Sequence, residues 1–409
     1  MTSPWAVAVV RNGFVHDARV LRAARTLAEI GYRPLVVAAP AAEGYAQADA
    51  AHGIPVVRVR PSSPVRWIER RFQRAKVPAQ QASQRSEGAP ARRETAIAVV
   101  VRVYRWLRTM DFNFRATALV LSHRPALVHC NDHNTMWIGV AAKVLGRSRI
   151  VYDAHELWPD RNGRSEFRPW LLATEALFCR VADEVIVASP GFVAPMRRRY
   201  RIAALRVVRN VPARANPPAA PPDTGSEPLA VYVGTLLLGR GLEQAIDAVA
   251  LLPGVRLRLI GHGGAPSTVD ALLQRARAAG IGERFEIRPP VAPDRVVAAV
   301  TGASVGLSLF QPVCLSHELT LPNKLFEYVA AGVPVLTSDM PLSADFVRRH
   351  EIGEVVPARD PAAIARGLAR LLEPGRADEL RPRLERTAGE HNWQRERNSL
   401  IAAYQSAMA

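Results

Sequence analysis

Cysteine is scarce in this chain of 409 residues, which contains only Cys130, Cys179 and Cys314. Three thiols so far apart in sequence predict neither a disulfide framework nor a zinc site, and we expect a reducing, cytoplasmic environment. No apolar run approaches the roughly 20 residues that a membrane-spanning helix needs. The amino terminus has only a short apolar run and no basic start, so the sequence does not predict a signal peptide.

Motifs for dinucleotides and metals are missing as well. A polar loop over residues 11–17 joins the first predicted strand and helix, and it lacks the Gly-x-Gly-x-x-Gly spacing that binds dinucleotides. His129, His133 and His155 come from two different strand ends and lack Glu-x-x-His spacing. The sequence therefore predicts no bound cofactor and no metal.

Acidic residues are outnumbered by basic ones. The 54 Lys and Arg residues against 37 Asp and Glu residues give a formal net charge of +17. Such a charge attracts polyanions, and nucleic acid, anionic lipid and a phosphorylated substrate are all alternatives on this ground alone. The hydrophobic content of 48% is that of a globular protein.

The pattern of apolar residues predicts an α/β fold in two domains. A strand, a polar loop, a helix and a strand open the chain, which is the order of a Rossmann-like unit. The same order restarts at Leu229, after a stretch rich in proline. We predict a first domain over residues 1–211, a linker over 212–228, a second domain over 229–391 and a final helix over 392–409.

Residues 60–94 interrupt the first domain with arginine, proline, serine and glutamine, which predicts a mobile basic loop. Trp67 lies there among arginines, and contact with lipid or with an acceptor is one interpretation. The helix predicted next, over residues 95–121, has an apolar face and an arginine face. We favour a helix packed on the sheet with its arginines in solvent, and the alternative is a helix lying on an anionic membrane.

Polar or glycine residues follow several predicted strands directly. The carboxyl ends of parallel strands are where α/β proteins bind ligands, so these residues are candidates for a common site. In chain order they are Asn12, Gly13, His155, Gly234, Thr235, Arg240 and Gly261.

Residues 319–335 contain one short helix with marked ends. Pro322 stands just before the helix, where a missing N–H costs nothing, and Gly332 provides a left-handed stop. Glu327 falls in the second turn. The free N–H groups and the dipole at such a helix start favour an anion, above all a phosphate.

The wording of residues 322–335, PNKLFEYVAAGVPV, resembles the donor-site motif of family 4 glycosyltransferases. That family has the GT-B architecture, two Rossmann-like domains whose parallel sheets face a central cleft. Its motif is two glutamates separated by seven residues, followed by Ala-x-Gly-x-Pro-Val. Glu327 and residues 331–335 match the second half, whereas Leu319 stands where the first glutamate is expected and Glu318 is one residue early.

Other segments carry the same resemblance. Residues 16–32 are similar to the first helix of many members, and residues 152–158, YDAHELW, resemble the segment that holds an acceptor-site histidine, here His155. The resemblance also implies that the final helix, over 392–409, packs back on the first domain. The absence of Asp-x-Asp removes the metal–diphosphate clamp of GT-A enzymes, so we expect cations and a helix dipole to neutralise phosphate.

The resemblance implies a retaining enzyme, a glycosyltransferase of the hexosyl-transferring class. It would transfer a sugar from a nucleotide-diphosphate sugar to a glycan, a lipid-linked or a small-molecule acceptor. The predicted location is the cytoplasm, with peripheral contact at the inner face of an anionic membrane as an extension. A sugar-nucleotide epimerase of the same fold, an inactive partner subunit and a basic nucleic-acid-binding protein are the alternatives.

Roles are carried over residue by residue. In the loop over residues 234–241, Thr235 replaces the family's first cation and Arg240 meets the second, so we infer that Lys324 helps to hold the diphosphate. Glu327 is implied to hold the ribose. The predicted catalytic residues are His155, Arg240 and Lys324, and the predicted donor-binding residues are Glu327, Asn323, Thr235, Gly234, Gly261, Gly13 and Asn12.

Overall fold

The computed structural model describes residues 3–15, 17–41, 48–51, 53–68, 91–162, 166–202, 204–214, 227–237, 239–263 and 266–409. Residues 69–90 of the predicted loop and residues 215–226 of the predicted linker lie outside this description.

Eight strands form the sheet of the amino-terminal half. They are β1 (Trp5–Val10), β2 (Arg33–Ala38), β3 (Ala48–Ala51), β4 (Ile54–Arg58), β5 (Leu127–Asn131), β6 (Arg149–Ala154), β7 (Glu184–Val187) and β8 (Leu205–Val207). Their order is β3-β4-β2-β1-β5-β6-β7-β8. Every neighbouring pair is parallel except β3 and β4, an antiparallel edge that the sequence did not predict.

Six strands form the second sheet, and all neighbouring pairs are parallel. They are β9 (Leu229–Val233), β10 (Arg256–Ile260), β11 (Phe285–Arg288), β12 (Val305–Ser308), β13 (Val335–Ser338) and β14 (Gly353–Val356). Their order is β11-β10-β9-β12-β13-β14, so the chain reverses direction across the sheet beside β9. The predicted α/β class with two Rossmann-like sheets is confirmed.

Helices connect the strands in both halves. In the first half they are α1 (Ala18–Glu29), α2 (Ala91–His123), α3 (Met136–Gly146), α4 (Arg168–Val181) and α5 (Val193–Tyr200). In the second half they are α6 (Leu242–Ala250), α7 (Pro266–Ala278), α8 (Val296–Val300), α9 (Leu315–Glu318), α10 (Asn323–Ala330), α11 (Pro341–His350), α12 (Pro361–Leu371), α13 (Arg376–Glu390) and α14 (Trp393–Met408). None of these described helices has a stretch apolar and long enough to cross a membrane.

The predicted loop over residues 60–94 needs correction, because residues 63–68 are helical and α2 begins at Ala91. The exposed face of α2 carries large apolar side chains, including Trp106 and Phe114, as well as arginine. The helix packs on the core through Phe112, Ala116 and Val120, and the side chains of residues 91–102 lie outside the described part of the chain.

The final helix, α14, packs on the first sheet although it follows the second domain in sequence. Leu400, Ala403, Tyr404 and Ala407 share a buried cluster with residues of α1, β5, β6 and β7. The chain therefore crosses between the two halves twice, once after β8 and once before α14.

Gly306 in β12 has no room for a side chain, because a Cβ there would lie 2.3 Å from the ring of the buried Tyr328. We expect Gly306→Ala to lower the unfolding free energy by at least about 2 kcal/mol, the usual scale of core overpacking. The control is Gly389→Ala in α13, where a Cβ meets no atom within 4 Å. This control should raise stability by about 0.5–1 kcal/mol. Equal midpoints of urea unfolding for both variants would contradict the prediction.

Candidate active site

A cleft of about 650 Å³ lies where the two halves of the molecule face each other. Its wall combines the loop after β1 and the start of α1 with the strand ends and the helix start of the second sheet. All ten predicted site residues line it, namely Asn12, Gly13, His155, Gly234, Thr235, Arg240, Gly261, Asn323, Lys324 and Glu327. Their places at strand and helix ends bring them together, and their roles stay predictions.

Two cations lie side by side in this cleft against aromatic rings. The Lys324 Nζ atom lies 3.5 Å from the centre of the Tyr232 ring and 5.3 Å from that of Phe310, and the Arg240 guanidinium carbon lies 4.1 Å from the Phe310 ring centre. Within the described part of the chain, neither cation forms an ion pair with a carboxylate. Cation–π contact stabilises a positive charge without neutralising it. The pair is therefore available to an anion.

Burial lowers the pKa of Lys324 well below its ordinary value, and the adjacent charge of Arg240 lowers it further. The same physics works in reverse when a negative group enters, because an anion in contact with the ammonium favours its charged form. A dianion such as a diphosphate would therefore restore the full charge of Lys324 as it binds.

The glycines of this wall allow two loops to touch. A Cβ on Gly261 would lie 1.9 Å from the carbonyl oxygen of Gly234, and a Cβ on Gly234 would lie 3.4 Å from the Lys324 Nζ atom. Both glycines also have positive φ, 159° and 132°. At Gly261 the backbone of Gly234 thus occupies the space that a side chain would need.

Glu327 faces the amino-terminal half from the second turn of α10. Burial raises its pKa, and the positive charges of Arg22 and Lys324 oppose that shift. Arg22 belongs to α1, so this carboxylate is in electrostatic range of cations from both halves of the molecule. Among the described residues it accepts no hydrogen bond, which leaves its oxygens available to a ligand's hydroxyl groups.

His155 lies between two carboxylates at the end of β6. Its Nδ1 atom is 3.5 Å from Asp132 Oδ2, its Nε2 atom is 3.3 Å from Asp153 Oδ2, and its backbone N–H donates to Asp132 Oδ1 at 3.1 Å. Burial alone would lower the pKa of His155, but the two carboxylates outweigh burial and raise it to about 9. At neutral pH the ring is therefore an imidazolium.

Asp153 is held in place from several directions. Arg19 donates to both of its carboxylate oxygens, at 2.6 and 2.7 Å, and His129 donates from Nε2 at 3.1 Å. The hydroxyl of Tyr404 in α14 donates to Nδ1 of the same His129 at 3.0 Å. These contacts link the last helix of the chain to the side chain that touches His155.

Asp132 has a backbone conformation that is rare for a residue with a side chain, with φ of 64° and ψ of 164°. Such a conformation costs about 1–3 kcal/mol and persists where the surroundings enforce it. Here the Asp132 N–H donates to Asp153 O at 2.8 Å, and this peptide geometry brings the carboxylate to His155. Asp132 follows β5 directly, so the strand-end rule could have found it.

The side chain of Asn12, a predicted donor-binding residue, already forms hydrogen bonds within its own loop. Its amide nitrogen donates to Asp17 Oδ2 at 2.7 Å, and its amide oxygen accepts from the Phe14 N–H at 2.8 Å. A Cβ on Gly13 would lie 2.8 Å from Ala41, so this glycine serves the packing of neighbouring loops. Both residues shape the cleft wall, and these bonds leave one N–H of the Asn12 amide for a ligand.

Leu319, at the position of the missing first glutamate, is a contact between the two halves. Its side chain packs against the core of the first sheet, and its carbonyl oxygen accepts from Ser189 Oγ at 2.7 Å. Glu318 is not part of the cleft wall, whereas the neighbouring His317 is. Burial lowers the pKa of His317 to about 4, and the charge of Arg240 adds to that shift, so the ring is neutral.

Phe310, Tyr232 and His317 belong to the site and were not predicted. Phe310 lies two residues after the end of β12, so the strand-end rule that found the glycines could have found it, whereas Tyr232 lies inside β9. His317 precedes Glu318 by one residue, and a polar residue so near the expected glutamate was a usable signal. Tyr232 reads as an ordinary core residue in the sequence.

Models of two protein families match the chain. The model described as "Glycosyl transferases group 1" matches residues 218–391, and the model described as "Glycosyltransferase Family 4" matches residues 77–211. Together the two matched ranges take in most of the sequence. The chain belongs to glycosyltransferase family 4. The resemblance carried by the PNKLFEYVAAGVPV wording is thereby confirmed.

Two curated relatives of this family 4 chain act on inositol derivatives by name. A D-inositol 3-phosphate glycosyltransferase of Acidothermus cellulolyticus is 30% identical over 193 residues, which is 44% of this chain and 41% of that protein. A phosphatidyl-myo-inositol mannosyltransferase of Mycobacterium leprae is 27% identical over 78% of this chain and 80% of its own length. The chain thus spans less than half of the first relative.

Solved structures share the fold over the whole chain. A sucrose-phosphate synthase from Thermosynechococcus elongatus superposes with a TM-score of 0.73 at 17% identity, covering 98% of both chains. HepE of Anabaena in complex with UDP-glucose gives a TM-score of 0.68 at 15% identity, covering 98% of this chain and 100% of that one. The predicted GT-B architecture is confirmed.

Proposed function

We propose that this family 4 chain transfers a hexosyl group, with retention of configuration, from a nucleotide-diphosphate sugar to an acceptor. The second sheet would hold the donor and the first sheet the acceptor, which is a glycan, a lipid-linked or a small-molecule acceptor. The names of the two inositol relatives make a phosphorylated polyol one acceptor to include in a screen. The proposed location is the cytoplasm.

The observation that carries this proposal is the pair of unneutralised cations, Arg240 and Lys324, at the start of α10. The two cations would supply positive charge to a leaving diphosphate. The start of α10 would add free N–H groups, and the surrounding aromatic rings would exclude part of the water. Glu327 lies one turn further along the same helix, where it would accept hydrogen bonds from the ribose hydroxyls. Asn323, Thr235 and the two glycines would complete the donor wall.

Departure of the diphosphate leaves a sugar with oxocarbenium character, and charge develops on the phosphate oxygens. Arg240 and Lys324 would stabilise that charge without reorganisation, because aromatic rings already hold them in place. The imidazolium of His155 would position the sugar or the acceptor on the opposite side through its Nδ1 edge and its positive charge, because Nε2 is buried beside Asp153. These roles use protein cations only, and we propose that no metal and no cofactor is needed.

We also propose that the two halves close over the donor, with the hinge in the predicted linker over residues 212–228. Arg22 on α1 would then act together with Glu327 and Lys324 on α10, since these charges already sense one another across the cleft. Closure would exclude water from the reacting groups.

A thermal-shift screen of UDP, GDP and TDP, each with matched sugar nucleotides, tests donor binding. We expect one nucleotide class to raise the melting temperature, because a ligand at 100 times its dissociation constant stabilises the folded state by about 2.7 kcal/mol. Chromatography of products from the stabilising sugar nucleotide, with and without acceptors, then tests transfer. A chain that none of these nucleotides stabilises would contradict the proposal.

One observation supports an alternative function. Leu319 replaces an acidic residue and faces the first domain rather than the cleft, so one sugar contact of the family is absent. A GT-B epimerase or an inactive partner subunit would tolerate that loss. Conversion of the sugar nucleotide without an acceptor would indicate the epimerase, and binding without any conversion would indicate the partner subunit.

A further inference from the structure

Two histidines and a glutamate meet where α11 and α13 end. His350 is the last residue of α11, Glu390 is the last residue of α13, and His391 follows Glu390 directly. The Nε2 atoms of the two rings lie 3.3 Å apart, and Glu390 Oε2 lies 3.8 Å from His350 Nδ1. One ligand atom from each of the three side chains lies within 4.8 Å of the others. We call these three residues the α11–α13 cluster.

The spacing of the two ring nitrogens matches that of two ligands on one metal ion. Zinc binds imidazole nitrogen at about 2.0–2.1 Å with tetrahedral geometry, so two such nitrogens lie about 3.3–3.4 Å apart. The two Nε2 atoms of the cluster already have this separation. The side chain of Glu390 is 45% exposed and is therefore free to turn toward the same ion. An ion could reach all three ligands without a change in the two rings.

Aromatic side chains hold both rings in place. The His350 ring centre lies 4.6 Å from that of Phe346, and the His391 ring centre lies 5.2 Å from that of Phe346 and 6.0 Å from that of Phe326. The two imidazoles meet edge to face, with an angle of 85° between their planes. Side chains that packing has already fixed lose little conformational entropy when they bind an ion.

Both histidines are neutral near pH 7, and neutral imidazole is the form that binds a metal. Burial lowers the pKa of His350, and burial together with the charge of Arg209 lowers the pKa of His391 to about 4. Arg209 Nη1 donates to His391 Nδ1 at 3.0 Å, so Nε2 of this ring carries the proton. An ion at Nε2 would move that proton to Nδ1 and replace the Arg209 contact. The bond from Arg209 Nε to Glu396 Oε1 at 2.8 Å would remain.

We propose that the α11–α13 cluster binds a divalent transition-metal ion such as zinc, with His350, His391 and Glu390 as ligands and water at the fourth position. Two imidazoles and one carboxylate suit zinc, whereas Mg²⁺ and Ca²⁺ prefer oxygen ligands. The positive charges of Arg209 and Arg386 near the rings also disfavour a cation that is held by charge alone.

The ion would join the end of α11 to the end of α13, just before the chain crosses to α14. None of the three cluster residues lines the cleft. The proposal is therefore independent of the proposed transfer reaction, which uses protein cations at another place. The prediction of no metal rested on sequence spacing, which does not reveal ligands that are 41 residues apart, as His350 and His391 are.

Titration calorimetry of the full chain with ZnCl₂, in the absence of nucleotide, tests the proposal. We expect one tight zinc site per chain and, in excess zinc, a rise in melting temperature of at least about 2 °C. MgCl₂ at the same concentration should have no such effect. Glu390→Gln should weaken zinc binding at least about tenfold and His350→Gln at least about 100-fold, because even the hydrogen-bond partner of a metal ligand contributes about 10- to 100-fold to affinity.

The matched controls are Glu385→Gln, at an exposed position of α13, and His123→Gln, at the end of α2. Both residues lie outside the cluster, so we expect wild-type zinc affinity from both variants. Glu390→Gln changes an exposed side chain and decides the question alone if His350→Gln does not fold. Absence of zinc binding by wild type would overturn the proposal. Wild-type affinity in Glu390→Gln would overturn it as well, because the zinc would then be bound at another place.

Discussion

Lys324→Met is expected to lower kcat/KM for release of nucleoside diphosphate from the stabilising donor by about 100-fold. Methionine keeps the length of the side chain between the rings of Tyr232 and Phe310 but removes the charge that faces the departing phosphate. Loss of one preorganised positive contact of this kind costs roughly 100- to 1,000-fold in comparable sites. Steady-state kinetics of diphosphate release measure the effect directly.

Arg240→Met belongs to the same experiment because the two cations influence each other. Removing Arg240 takes away a charge that depresses the pKa of Lys324, so the remaining ammonium is more fully protonated. We therefore expect the double variant to lose more than the product of the single losses. Arg198→Met, which changes an exposed arginine on α5, is the control and should retain wild-type kinetics. Wild-type rates in the Lys324 variant would remove the site assignment.

Asp132→Asn is expected to shift the high-pH limb of the activity profile downward by at least about one pH unit. The carboxylate of Asp132 is the largest of the influences that raise the pKa of His155, so its removal lowers that pKa. Wild type should stay active until the pH approaches 9, whereas the variant should lose activity as the pH rises through a lower value. For a shift of one unit the difference should be about twofold at pH 8 and about eightfold at pH 9.5. Measurement of kcat/KM from pH 5.5 to 9.5 tests this.

The unfolding free energy is expected to depend on pH in the same direction as the activity. Because the pKa of His155 is raised in the folded state, its contribution to the unfolding free energy is complete below about pH 6.5 and is lost as the pH rises through about 9. An NMR titration of the His155 ring gives the pKa without reference to activity. Asp345→Asn, on the exposed face of α11, is the control. A uniform loss of activity at every pH, with an unchanged ring titration, would reduce Asp132 to a structural role.

Much of this site could be predicted because its residues lie at the ends of strands and at the start of a helix, which the sequence pattern marks. Strand ends and the start of α10 are local features, and Pro322, Gly332 and the apolar spacing around Glu327 mark them in sequence. Parallel strands then bring such ends to one edge without further information. That is why ten residues, chosen from separate segments, line a single cleft.

The remaining features depend on contacts between distant segments. The charge of His155 depends on Asp132, 23 residues away, and the exposure of Lys324 to an anion depends on Tyr232 and Phe310 rather than on any neighbour in sequence. Leu319 is an interdomain contact, which no spacing rule reveals. Periodicity identifies an apolar face of a helix such as α2 but does not say which of its residues meet the core.

The hydroxyl of Tyr404, five residues from the carboxyl terminus, connects through His129 and Asp153 to the imidazolium of His155. The helix α14 thus steadies the proposed site from behind, although more than two hundred residues separate Tyr404 from His155. Removal of this helix would therefore disturb the site together with the core of the first sheet, because the same helix covers both.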